Sequence, residues 1–124
     1  MSDLVGIMLK MKEKEVEDSV TKLACNILRA LLVLGGSGWK DELDSSLAAL
    51  ISIEGDTESR SSLRDSESAM TLLKEKGLIE DRKGKRADAA GRSTVEDTLY
   101  SLKEYTAVMQ VFGTDKLVLQ LRGL

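Results

Sequence analysis

Apolar side chains recur every three or four residues through the first half of the chain, and the rhythm changes near residue 78. Leu4, Ile7, Met8 and Met11 open the pattern ahead of a charged run over 12–18. This spacing predicts an amphipathic N-terminal arm over 1–14. Such an arm cannot bury its own face, and packs on the domain or on a second copy of it. The strongest helix is predicted over 15–34, with Val16, Val20, Leu23, Ile27, Ala30, Leu31 and Leu34 on one face. Glu15, Glu17 and Asp18 fall in its first turn, at the favourable end of the helix dipole. Gly35-Gly36-Ser37-Gly38 then reads as a helix stop and turn. A second helix follows over 41–51, striped by Leu43, Leu47, Leu50 and Ile51, with Trp39 anchoring that corner of the core. After a polar turn over 54–59, a third helix covers 59–76 with Leu63, Met70 and Leu73 inward.

The rhythm then changes. Leu78 to Arg82 reads as a strand, 83–92 as a hairpin tip rich in small residues, and 93–102 as the returning strand with Val95, Leu99 and Tyr100. The tail is ambiguous. Leu102, Tyr105, Val108, Met109 and Phe112 fit a helix by period, yet Thr106, Val108, Val111 and Phe112 are strand formers. Gly113-Thr114-Asp115-Lys116 resembles a turn before the alternating run 117–121. A C-terminal β-hairpin is narrowly favoured over a helix-strand extension.

The stretch 69–86, AMTLLKEKGLIEDRKGKR, is the most specific signal. Lys74 and Lys76 lie in the last turn of a helix, where cations suit the dipole, and Gly77 follows as its C-cap. Leu78 and Ile79 begin a strand, and a basic turn comes next. This run resembles the winged helix-turn-helix family, especially regulators of the MarR and ArsR kind, and the likeness extends over about 15–102. The resemblance implies a helix-dominated α+β fold: a three-helix core with a β-hairpin wing, here carrying the N-terminal arm and an extension over 103–124, all in one domain of 1–124. It also implies a small DNA-binding protein acting in transcription regulation, and a homodimer. One feature departs from the family. The polar segment over 54–62 exceeds the tight turn that joins the second and third helices of compact members, so either the third helix begins early or a loop is inserted.

Composition removes several alternatives. The chain of 124 residues has no histidine and one cysteine, Cys25, which lies in an apolar helical run and reads as a core residue. Without imidazole or a second thiol, a Ser-His or Cys-His pair, an internal disulfide and a Cys/His metal site are excluded. The Gly35–Lys40 segment lacks the Gly-Lys-Ser/Thr ending of a phosphate loop and follows a helix, not a strand. Acids Asp41, Glu42 and Asp44 are explained by a helix start. The expectation is therefore a protein that is not an enzyme and carries no cofactor and no metal. No run of about 18 apolar residues is present, and the start Met-Ser-Asp lacks the basic region of a signal peptide, so the expected setting is cytoplasmic, with no membrane partner.

Charge is uneven. Residues 1–58 hold 6 Lys/Arg against 11 Asp/Glu, residues 59–92 hold 9 against 6, and residues 93–124 hold 3 against 4. A basic segment thus sits on an acidic body. Arg82, Lys83, Lys85, Arg86 and Arg92 put five cations within eleven residues, opposed only by Asp88. On a hairpin tip they would reach phosphates of double-stranded DNA, with Gly84 and Gly91 easing the turn. By the same resemblance the third helix would read bases in the major groove through Arg60, Ser61, Arg64, Ser68 and Thr71. Asp65, Glu67 and Glu75 on that helix oppose phosphate. They support an alternative, a winged-helix module that docks a protein partner and not nucleic acid. Leu4, Ile7, Met8 and Met11 are the candidate dimer or partner contacts.

Overall fold

The computed structural model describes residues 3–54, 63–87, 91 and 93–123. Among the described residues, six helices and three strands follow in the order α1 (Leu4–Lys14), α2 (Ser19–Val33), β1 (Ser37–Trp39), α3 (Lys40–Glu54), α4 (Leu63–Glu75), β2 (Ile79–Ala87), β3 (Thr94–Leu102), α5 (Tyr105–Phe112) and α6 (Lys116–Leu121). The fold is helix-dominated α+β. These strands form an antiparallel sheet in the order β1-β3-β2.

α2 is the centre of the core. Leu23, Ala24, Cys25, Ile27, Leu28, Ala30, Leu31 and Leu32 are all buried, and the helix packs against the other five. The helix is buried around most of its circumference, the polar Thr21, Asn26 and Arg29 included, so its neighbours surround it. It is shorter than the 15–34 expected. Asp18 accepts the Val20 N–H and caps the N-terminus, while Glu15 is drawn away to Arg29. Val16, expected on the inner face, is therefore 84% exposed in the turn between α1 and α2. At the other end, Gly36 N–H donates to Leu31 and Gly35 N–H to Leu32, with φ of 108° and 90° respectively. This left-handed C-terminal motif turns the chain into β1, a three-residue strand that the glycine-rich turn concealed.

α1 folds back onto the domain. Met8 and Met11 are buried in the common core, and Leu4 and Ile7 are half-buried against it. The face expected to meet a second copy or a partner is covered from within. α4 ends as the sequence predicts: Leu78 N–H donates to Leu73, Gly77 N–H to Lys74, and Gly77 takes φ 73°. β2 then runs to Ala87, five residues beyond the expected strand end, so Lys83, Lys85 and Arg86 stand on a strand and not at a tip.

The C-terminal extension is neither a β-hairpin nor helix-strand. It is two helices. Val108 and Phe112, four residues apart, share the buried face of α5, and burial outweighs the strand preference of Thr106 and Val111. Asp115 accepts the Leu117 N–H at 2.9 Å to cap α6, whose Val118 reaches the same core. No helix among the described residues is long and apolar enough to cross a membrane.

A buried ion cluster ties these additions together. The Arg29 guanidinium donates to both Glu15 carboxylate oxygens at 2.7 and 2.8 Å, to Asn26 at 2.7 Å and to Asp115 at 3.2 Å. Lys12 reaches Asp115 at 3.1 Å. Phe112 lies under both cations, its ring centroid 5.2 Å from each. α1, α2 and α6 thus meet at one arginine.

Candidate nucleic-acid interface

The register of the hairpin decides which way its cations face. Arg82 pairs with Leu99, which in turn pairs with Trp39, so these three side chains share one face of the sheet. Two and four residues on, Gly84 and Arg86 share it too. Lys83 and Lys85 stand on the other face. The expected cluster is therefore divided between two surfaces, two cations on each. Arg92 lies outside the described residues.

Trp39 organises the first face. Its ring covers Gly84, where a Cβ would come within 3.1 Å of the indole. The Arg86 guanidinium rests 5.3 Å from the Trp39 ring centroid, donating to Asp41 at 2.7 Å and Asp97 at 3.3 Å. Asp97 is itself fixed, because it accepts the Thr98 N–H at 2.8 Å. Asp41 belongs to the first turn of α3, where Glu42 caps back onto the Trp39 N–H at 2.9 Å. The hydrogen bond and charge of Arg86 hold the Asp41 carboxyl below the ordinary carboxylate range, and Asp41 raises Arg86 in return. Trp39 is thus a bridge between α3 and the hairpin, half-buried, and not the interior anchor expected.

On the second face, Lys83 donates to the Thr98 hydroxyl at 2.9 Å, and Lys85 stands directly across from Glu96. Lys74 of α4 reaches Asp81 of β2 at 2.6 Å, tying helix to hairpin. Counting the segment 79–102 as a unit changes the charge picture, since five cations meet five carboxylates. The basic excess over 59–92 came from stopping short of Glu96 and Asp97, which the antiparallel return brings beside the lysines and Arg86. That signal was in the sequence: two adjacent acids at the start of the second predicted strand.

No protein-family model, curated protein or solved structure matches this chain.

The candidates on the third helix are less gathered. Arg60 and Ser61 lie outside the described residues, as does the side chain of Arg64. Ser68 and Thr71 are exposed on α4 and line an open groove of about 640 Å³ between α4 and the start of α2. The groove also takes Lys14, Asp18, Glu67 and Glu75, so carboxylates outnumber amines along it. The Thr21 hydroxyl donates to Asp18 and is the main cause holding that carboxyl below its usual range, so it stays ionised. Among the described residues, no group of three or more His, Cys, Asp or Glu is placed to hold a metal ion.

Proposed function

We propose that this chain is a winged-helix domain that binds duplex DNA, with α4 as the groove-reading helix and the β2–β3 hairpin as the wing. The order helix, strand, two helices, then a hairpin whose return strand pairs with the first strand supports the fold reading. The single observation that carries the function is the junction at Gly77. α4 passes through it directly into a strand bearing exposed Arg82, Lys83 and Lys85, so helix and cations are joined by one tight turn and by the ion pair of Lys74 with Asp81. Cations held this way contact phosphates on either side of a groove, and Ser68 and Thr71 supply hydroxyls for bases or phosphates. A role in transcription regulation, through a homodimer, completes the reading.

The test is fluorescence anisotropy of labelled random duplex DNA at several salt concentrations. Binding should weaken linearly in log-log form as salt rises, with a slope near −0.9 per neutralised phosphate. Replacing Arg82, Lys83 and Lys85 together by alanine should flatten that slope by up to three phosphates' worth. An unchanged slope in the triple variant would remove the wing from the account.

One observation favours a second reading. The α4 groove presents Asp18, Glu67 and Glu75 against Lys14, a surface that repels phosphate and suits a basic protein segment. Absence of DNA binding at low salt, with the protein folded, would make that protein-docking module the better description.

A further inference from the structure

Arg86 is a cation of the hairpin that already holds two carboxylates. Its guanidinium lies over Trp39, 5.3 Å from the ring centroid, and its Nη1 donates to both Asp41 and Asp97. A phosphate oxygen can accept from that Nη1 as a carboxylate oxygen does, and the arginine fork can take a second oxygen of the same phosphate. The arrangement is accessible, since the side chains of Arg86 and Asp41 are 30% and 67% exposed. Exposed ion pairs of this kind are weakly held, so a phosphate can replace the carboxylate without a large opposing term. Asp97, anchored on the Thr98 amide, would keep Arg86 in place while Asp41 is displaced.

We propose that Asp41 and Asp97 act as internal competitors for Arg86, quenching the wing until a correctly positioned backbone phosphate takes the place of Asp41. The inference rests on the DNA-binding reading and deepens it. It gives the charge balance of the hairpin a purpose. A wing whose cations are matched by carboxylates gains little from random phosphates, so its weak nonspecific binding leaves α4 contacts to decide where the protein stays. Trp39 is a positioning residue in this scheme, because its ring orients Arg86 while α3 delivers Asp41.

The experiment compares the full chain with Asp41→Asn/Asp97→Asn and with the same pair combined with Arg86→Ala, by anisotropy on one random duplex over a salt series. Asparagine keeps the size of each side chain and the oxygen that accepts the Thr98 amide. The double variant should bind about two- to fivefold tighter per removed carboxylate and gain about 0.9 in salt slope, one phosphate. Adding Arg86→Ala should cancel that gain. Emission of Trp39, the only tryptophan, gives a second readout. Adding duplex should change it in the wild type as a phosphate replaces Asp41 on the guanidinium held over the ring, and much less in Arg86→Ala. Wild-type binding with an unchanged double variant overturns the inference and leaves the DNA reading standing. A gain that persists without Arg86, or an emission change equal in Arg86→Ala, also overturns it, since general repulsion would then explain the carboxylates. No binding by any variant at low salt, with Trp39 emission of a folded protein, overturns both.

Discussion

Two arginines in this chain have nearly the same company. Arg29 meets Glu15, Asp115 and the Phe112 ring at 5.2 Å; Arg86 meets Asp41, Asp97 and the Trp39 ring at 5.3 Å. What differs is water. The Arg29 side chain is 3% exposed, with its carboxylates at 13% and 8%, whereas Arg86 and its partners keep contact with solvent. Burial raises the Coulomb attraction within the first cluster and, by more, the cost of leaving any member alone. The second cluster is screened and free to exchange. One set of contacts is architecture, and the other can serve as a binding site.

The largest effect that would break this contrast is at Arg29. Arg29→Met keeps the aliphatic stem but strands Glu15 and leaves Asp115 to Lys12. It should cost about 3–5 kcal/mol in urea unfolding, the usual result of removing one partner from a buried pair. A loss below about 1 kcal/mol would mean that water enters the cluster freely and that the two arginines are alike. The Nε of Arg29 has no hydrogen-bond partner among the described residues, so the network is already short of one acceptor.

Cys25 offers a reading of the same interior without denaturant. Burial foremost, and then the Glu15 charge, pushes its thiol up to about 12, so the thiolate that reacts with alkylating reagents is scarce at neutral pH. Native protein should label slowly, at a rate set by opening. Arg29→Met should label many times faster than wild type, and Arg86→Ala at the wild-type rate. Rapid labelling of the wild type would show that α2 is not enclosed as described.

How far the sequence disclosed these two clusters is instructive. Local rules worked where the chain solves its own problem: Gly77 ends α4, the strands follow, and the α2 stripe is inward from Val20 onward. They failed where the partner is distant in sequence. Arg29 is one of two polar residues between Leu23 and Leu34, and its carboxylates come from residues 14 before and 86 after it. No periodicity announces that. The tail failed for a related reason, because Val108 and Phe112 are buried by elements that a window of ten residues cannot include. The hairpin cations fall between these cases. Their number was plain, but their neutralisation depended on register, which a one-residue shift would have reversed face by face.

Acid separates the clusters next. Burial opposes ionisation of Asp115, but the Arg29 charge, the Lys12 ammonium and the Leu117 amide outweigh it, so its pKa falls below the usual 3.8. A carboxyl lowered by folding contributes stability that is complete above its unfolded value and is lost as pH drops through the folded one. Stability should therefore hold from neutrality down to about pH 4 and decline below 3.8. In Arg29→Met the decline over that window should be shallower, because the main favourable charge on Asp115 is gone. An equally steep decline in the variant would assign the acid sensitivity elsewhere, with Asp18 and Asp41, both also lowered, the next carboxylates to replace.

The smallest expected effect is the stability change at Arg86, and its smallness carries the contrast. In Arg86→Ala, Asp41 and Asp97 lose a cation but remain hydrated, and each keeps a backbone amide to accept from, Glu42 for the first and Thr98 for the second. Nothing is left buried and unpaired, which is the condition for a large loss. The urea midpoint should stay close to wild type, while Trp39 emission shifts as the ring loses the guanidinium lying over it. A midpoint that fell as far as that of Arg29→Met would make the hairpin clasp structural, and an arginine needed for folding is not free to exchange its carboxylate for a phosphate. A midpoint that holds, with altered emission and weaker DNA binding, would leave Arg86 as a side chain the fold can spare and the interface uses.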